Sequence, residues 1–196
     1  MIKAIVCADE GWGIGKKDGL LYNIPADMHH FVNETQGKVV VFGYTTYQSL
    51  KVKPLKRRVN VVLWDQATSL DCIPGCITFK ELDQLIYFVS ILAKNQDVYI
   101  CGGQSLYKIF IERGLVELVD LTVVMGNDQE ATAFFPNLNK YGYHAVKKED
   151  FWGNNETNGH LISKQIWVKD EVGDFPNFGA EFNSQLQEKL NEKTGE

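Results

Sequence analysis

Asp27 stands in the segment GIGKKDGLLYNIPADMHHF (Gly13 to Phe31), where a carboxylate can do one of two things. Pro25 suits the first position of a helix, where its missing N–H costs nothing, and this puts Asn23 or Ile24 near the cap. Asp27 then falls in the first turn, where the helix dipole favours an anion. Met28 and Phe31 have the character of core-facing neighbours, and a carboxylate turned their way is desolvated unless something pairs with it. The residue is either a helix-terminus charge or a buried ligand for a cationic or amidine-like partner. Two other stretches bear on ligand chemistry. CGGQSLY (Cys101 to Tyr107) follows an apolar run and opens a helical pattern. Its glycines permit close backbone approach, and the free N–H groups of Gln104, Ser105 and Leu106 can cradle a phosphate. The spacing is not G-x-G-x-x-G, so a tight structural turn explains the fragment equally well. FGYTTY (Phe42 to Tyr47) repeats the design of strand, glycine, hydroxyl residues and helix. Together the two junctions suggest two anchors for a diphosphate ligand.

The elements that must position these residues are legible as alternating periods. Apolar, β-branched runs at 2–8, 38–42, 59–63, 77–79, 97–101 and 116–124 read as strands covered on both faces. Helical stretches at 25–35, 45–51 (Thr45 or Thr46 as cap), 80–94 and 104–113 lie between them. This alternation implies an α/β fold with a single, mostly parallel central sheet and flanking helices. Residues 141–149 and 160–168 read as a C-terminal antiparallel hairpin joined by FWGNNETNG. Residues 1–168 are expected to form one domain. Residues 169–196 form an acidic tail in which Phe182, Leu186 and Leu190, spaced by four, allow a short amphipathic helix. Termini fray by default, so the tail is expected to be dispensable for chemistry.

At 196 residues, 44% apolar and 23% charged, the chain is one ordinary globular domain. A net charge of −5 without a basic stripe argues against nucleic acid, and no apolar run approaches a membrane span. Lys56, Arg57 and Arg58 form a short basic cluster that a solvated loop also explains. Cys7 and Cys101 sit in apolar runs as small hydrophobes. Cys72 and Cys76 form a lone C-x3-C that cannot supply the four ligands of structural zinc, so no metal is expected. The thiols are expected to be reduced, in a cytoplasmic protein.

Six pieces, in order and at matching spacing over residues 1–168, resemble dihydrofolate reductase: MIKAIVCADEGWGIG, NIPADMHHF, VFGYTTYQSL, PLKRRVNVVL, YICGGQSLY, and LTVV with FFP. The resemblance implies reduction of 7,8-dihydrofolate by hydride transfer to pterin C6, with a proton added at N5. A carboxylate accepts the pterin N3–H and 2-amino group in a charge-assisted fork, and the resemblance assigns that role to Asp27. It assigns Tyr22 to the place of a water-ordering tryptophan and Thr122 to a hydroxyl holding Asp27. It implies walls from Met28, Phe31, Leu50 and Leu55, a clamp on the folate α-carboxylate from Arg58 rather than Arg57, and acceptors at the carbonyls of Ile5 and Cys101. Tyr107 falls beside the nicotinamide, with Val6, Cys7, Ile14, Gly15 and Leu20 in the nicotinamide pocket and its closing loop. Gly43, Tyr44, Thr45, Thr46, Leu63, Trp64 and Asp65, with Gly102, Gly103, Gln104, Ser105 and Leu106, make up the remaining cofactor contacts.

Departures from the family pattern are Leu21-Tyr22 in place of Pro-Trp, Thr132 near the place of a loop-steadying acid, and Tyr44 in place of a basic residue. Asp65 lies where a hydroxyl or a cation is usual for the 2′-phosphate, so NADPH is expected with reduced discrimination against NADH. Dihydrofolate and antifolates such as methotrexate or trimethoprim are the implied ligands of a monomer. A riboflavin-pathway pyrimidine reductase of related fold and a catalytically weak folate- or nucleotide-binding structural protein are the alternatives. The first needs neither an Arg58-type clamp nor an acid placed like Asp27.

Overall fold

A computed structural model describes residues 1–17, 19–64, 72–151 and 153–170. Eleven strands and four helices run in the order β1 (Ile2–Asp9), β2 (Gly13–Lys16), β3 (Gly19–Leu20), α1 (Pro25–Thr35), β4 (Val39–Gly43), α2 (Tyr44–Ser49), β5 (Val59–Leu63), β6 (Ile77–Phe79), α3 (Leu82–Ala93), β7 (Val98–Ile100), α4 (Gln104–Glu112), β8 (Leu118–Val124), β9 (Ala133–Phe134), β10 (Tyr143–Phe151) and β11 (Ile162–Lys169). Eight strands form one sheet in the order β10-β11-β8-β1-β7-β4-β5-β6. Its members from β8 to β6 pair in parallel, and β11 is antiparallel to both β8 and β10. The α/β reading and its antiparallel C-terminal pair therefore hold.

The period-2 pleat divides the core between the two faces of this sheet. Val39, Val41, Val61, Val98 and Ile100 face one way, under Leu85 and Val89 of α3 and Leu106, Phe110 and Ile111 of α4. Ile5, Val40, Phe42, Val62 and Tyr99 face the other, toward Phe31 of α1 and the Leu50–Leu55 stretch. The first face is closed. On the second, α1 buries only Thr35 fully, and Met28 and Phe31 remain half-buried. A helix whose apolar side chains are incompletely covered leaves a cleft lined with hydrocarbon, and that is where a ligand fits.

Two features differ from the sequence expectation. Gly43, not Thr45 or Thr46, caps α2, because Gly43 ends β4 and the helix starts at once, without a linker residue. The glycine-rich stretch after β1 is not merely a loop: β2 pairs with β3 and with β9, over 110 residues on. The pieces are too short for periodicity to show. Asp65 and the tail from Glu171 lie outside the described residues. Among the described residues no helix is long and apolar enough to cross a membrane, and no cluster of His, Cys, Asp and Glu is placed to hold a metal ion.

Candidate active site

Helix α1 begins at Pro25 with Ile24 as its cap, and no side chain caps it. Asp27 is thus in the first turn, yet its carboxylate is turned inward to the sheet, where the Thr122 hydroxyl of β8 lies beside it. Burial pushes the Asp27 carboxyl above the ordinary carboxylate range. The Thr122 hydroxyl and the nearby His30 and Lys164 pull the other way, and Asp120 adds to the upward shift. Of the two readings open to this residue, the geometry supports the buried one.

The surroundings of Asp27 are apolar on the cleft side. Met28 and Phe31 rise on α1, and Leu50 and Leu55 are half-buried across from them. Ile5 and Cys7 of β1 lie in register with Asp120 and Thr122 of β8, so the four share a sheet face. The Ile5 carbonyl accepts a hydrogen bond from the Tyr107 hydroxyl at 2.7 Å. Burial, with Asp27 and Asp9 close by, raises the Cys7 thiol well above its usual range, and burial does the same to Cys101, whose Sγ donates to the Tyr99 carbonyl at 3.4 Å. Both are inert neutral walls rather than nucleophiles.

Tyr22 is half-buried, edge-on to His160 at 5.4 Å between ring centroids, and its hydroxyl lies near Asp9. Burial first, and then Asp9 and Asp128, push that phenol up to about 12. Asp9 is itself buried and accepts from the backbone N–H of Gly13 at 2.7 Å and of Asp128 at 2.9 Å. One carboxylate therefore joins the β1 exit and the 127–131 loop beside the Tyr22 ring. Backbone holds the neighbouring strands: the Thr132 N–H donates to the Gly15 carbonyl at 2.9 Å and the Leu21 N–H to that of Ile14 at 3.2 Å. The Asn158 amide donates to the Asn23 carbonyl at 2.7 Å. Leu20 stays 64% exposed at the rim.

Arg58 lies along the end of α1. Its Nε donates to Thr35 Oγ1 at 2.9 Å, Nη1 to the Lys56 carbonyl at 2.8 Å and Nη2 to the Val32 carbonyl at 3.0 Å. The guanidinium carbon is 6.0 Å from the Phe31 ring centroid. Arg57 points to solvent from a backbone φ of 58°. Buried Asn60 pins this segment, exchanging hydrogen bonds with the Leu55 backbone at 2.9 Å in both directions and donating to the Arg58 carbonyl at 3.1 Å.

The second half of the site is where β4 and β7 end side by side. The Gly43 N–H donates to the Gly102 carbonyl at 2.6 Å, and the Gly102–Gly103 peptide is cis. A Cβ on Gly103 would stand 2.5 Å from Thr46 Oγ1, so only glycine fits there. Gly103 caps α4 without a side-chain hydrogen bond, and the first rung of the helix ladder is Tyr107 N–H to the Gly103 carbonyl at 3.0 Å. The N–H groups of Gln104, Ser105 and Leu106 precede that ladder and can take an anion. Exposed Thr45 and half-buried Thr46 and Leu63 lie at the adjoining strand ends, and Tyr44 stacks on buried Trp64 with centroids 5.5 Å apart.

Asp27, Thr122, Met28, Phe31, Leu50, Leu55 and Arg58 are gathered on the α1 side of the sheet, and Gly43 to Thr46 with Gly102 to Leu106 at the adjoining ends of β4 and β7. Some expected contacts are not made by side chains. Val6 and Leu106 point into the closed core on the α3–α4 face, so they have only backbone to offer. Ile14 belongs to that same core. Sequence reasoning passed over Asp9, His30, Asn60, Asp120 and Lys164. Asn60 in VNVVL and Asp120 in VELVDLTVV carried a signal, since a polar residue inside an apolar strand has to be satisfied by something.

Residues 1–169 match the family model for dihydrofolate reductase. The chain is 26% identical over 171 residues to a dihydrofolate reductase of Heliothis virescens, covering 82% of this chain and 92% of that one. It is 32% identical over 153 residues to the enzyme of Neisseria meningitidis serogroup A, covering 76% and 87%. Its fold is similar to that of a dihydrofolate reductase from Enterococcus faecalis complexed with NADP(H) and RAB-propyl, with a TM-score of 0.74, 20% identity, and 87% and 97% of the two chains covered.

Proposed function

The chain belongs to the dihydrofolate reductase family, and from that premise we propose which of its own residues carry the reduction of 7,8-dihydrofolate to 5,6,7,8-tetrahydrofolate. The observation that carries the assignment is Asp27, a carboxylate turned into a cleft with apolar walls and set beside Thr122. Its two oxygens accept the pterin N3–H and 2-amino hydrogens as a fork, which fixes ring orientation more strongly than neutral hydrogen bonds do. Met28, Phe31, Leu50 and Leu55 sandwich the flat rings and exclude water. The carbonyls of Ile5 and Cys101 line the far edge. Arg58 binds the α-carboxylate of the glutamate tail.

NADPH, when bound, supplies the hydride that pterin C6 receives. The chain fits such a cofactor: Gly43, Gly102 and Gly103 let backbone approach a diphosphate, the first N–H groups of α4 face outward, and Thr46 adds a hydroxyl. Tyr107, tied to the Ile5 carbonyl, stands between the two halves of the site. The proton for N5 comes from water, and the Asp27 carboxylate beside the pterin controls the electrostatics of that step. The Tyr22 hydroxyl, beside Asp9, can serve as donor or acceptor for a water near the ring. We place the protein in the cytoplasm as a monomer, on family and on its four free thiols.

The direct test is absorbance at 340 nm with dihydrofolate and NADPH, followed by methotrexate titration. Oxidation that methotrexate abolishes is expected. Stoichiometric methotrexate binding without turnover would instead identify a folate-binding protein.

The same assay checks the cofactor. Tyr44 and Trp64 stack where relatives with strong NADPH preference place cations or hydroxyls, and Asp65 follows directly in the sequence. A carboxylate a few ångströms from a 2′-phosphate costs on the order of 1–4 kcal/mol, whereas an acid near the free ribose hydroxyls of NADH accepts hydrogen bonds. The expected ratio of catalytic efficiencies, NADPH over NADH at low salt, is below about a hundredfold. Asp65→Ser is expected to move it toward NADPH. A larger ratio in the unmodified protein, or an unmoved ratio in the variant, removes the idea.

A further inference from the structure

One turn beyond Asp27 on α1, His30 is the inner of two adjacent histidines. Its Nε2 lies 2.7 Å from Asp120 Oδ2, and Asp120 is 6% exposed in the middle of β8. The two contacts between helix and strand are parallel rungs. Asp27 and His30 are three residues apart and so share a helix face. Thr122 and Asp120 are two residues apart and so share a strand face. Asp27 meets Thr122, and His30 meets Asp120. The neighbouring strand adds a cation, because Lys164 of β11 is in register with Thr122 and projects from the same side of the sheet. A buried acid in a central strand is costly unless paired, and an apolar pair would have sealed α1 to β8 equally well. The sequence has instead put a titratable pair next to the carboxylate that binds the pterin.

We propose that His30 is a positioning residue for the reduction: paired to Asp120, it supplies a positive charge one helical turn from Asp27 and so sets how readily that carboxylate gives up its proton. The inference rests on the assignment of Asp27 as the pterin-binding acid. The charges around His30 are Asp27 and Glu34 on its own helix, Asp120 on β8, Lys164 on β11, and Tyr99 of β7, whose hydroxyl donates to Glu34 at 3.2 Å. The turn at Asn155–Thr157 also packs on α1, but its Glu156 faces exposed His29 at 3.7 Å. The hydrogen bond from His30 to Asp120 raises the imidazole above its ordinary value, in spite of partial burial and Lys164. The cation therefore persists to higher pH than in a free histidine. It fades as pH rises through that raised value, and Asp27 then loses a stabilising neighbour while the Asp120 anion remains.

The consequence is a charge-specific pattern in the pH profile. In His30→Gln the amide still donates to Asp120, but the cation is gone and the Asp120 anion stays. Asp27 then holds its proton more tightly, and the limb of the hydride-transfer rate profile that follows Asp27 ionisation is expected to move up by about half a pH unit or more. Adding Asp120→Asn removes the anion as well, and the double variant is expected to return toward the parent limb. A packing role alone would lower rate or stability in all variants without moving the limb and restoring it. The measurement is single-turnover NADPH oxidation of the full chain from pH 5 to 10. A limb unmoved in His30→Gln, or a double variant that keeps the single variant's shift, overturns the proposal. If either variant fails to fold, ¹³C NMR of the Asp27 carboxyl in the unmodified protein decides: an inflection is expected where the His30 imidazole titrates, and a single smooth titration overturns it. Asp27→Asn run in parallel separates the two levels. Full activity there means that Asp27 is not the pterin acid. Lost activity with an unmoved His30→Gln limb condemns the rung alone.

Discussion

Asp27→Asn is expected to lower kcat/KM for dihydrofolate by about 10²–10⁴-fold at pH 7, which is the range for removing a positioned acid–base group. The substitution keeps the shape of the side chain. It turns one acceptor oxygen into a donor amide, which then faces a pterin N–H, and it removes the charge that made the fork strong. Burial already strains the ionised form of Asp27, so the neutral amide should not destabilise the fold, and the loss should appear in rate rather than in melting temperature. The expected pH dependence has a definite sign. Lowering pH supplies substrate already protonated at N5, so the variant should recover part of its activity in acid, where the parent gains less. Single-turnover rates between pH 5 and 9 check this. Activity within about threefold of the parent at pH 7 would refute the role.

How much of this site could be read before any coordinates depends on whether the physics is local. Pro25 fixes the start of α1, and with it the position of Asp27 in the first turn, from neighbouring residues alone. The VVVF and VYI runs are buried on both faces, and continuous apolar stretches of that kind announce central parallel strands. Gly102 and Gly103 are legible because the first takes a φ of 111° and a Cβ on the second would meet the Thr46 side chain. The direction of the Asp27 side chain was not local. It depends on Thr122, far along the chain, as the His30 contact depends on Asp120, 90 residues away. Val6 shows the same limit from the other side. Its neighbours in β1 line the cleft, but the pleat turns its own side chain into the opposite core. The β2–β3–β9 sheet escaped because its strands are two to four residues long, and its pairing with Ala133 and Phe134 is made by backbone.

Arg58→Leu is expected to raise the KM for dihydrofolate by about 10²-fold, and Arg57→Leu to change it by less than about threefold. The difference follows from where the N–H groups go. A guanidinium carries five of them, and in Arg58 three are committed to Thr35, Lys56 and Val32. One hydrogen on each terminal nitrogen is left to meet a carboxylate. The three internal hydrogen bonds hold the guanidinium in place before substrate arrives, so little side-chain entropy is lost on binding. Asn60 holds the Leu55–Arg58 backbone beneath it, and the Phe31 ring supports the plane. Arg57 has none of this: it is exposed, its backbone turns the other way, and its carbonyl serves Gly37. Steady-state kinetics on both variants should be paired with a pterin that lacks the glutamate tail. With that substrate Arg58→Leu should perform nearly as the parent does, which separates loss of the clamp from loss of the three internal bonds. Equal effects of the two substitutions on dihydrofolate would mean that the tail carboxylate lies elsewhere on this surface.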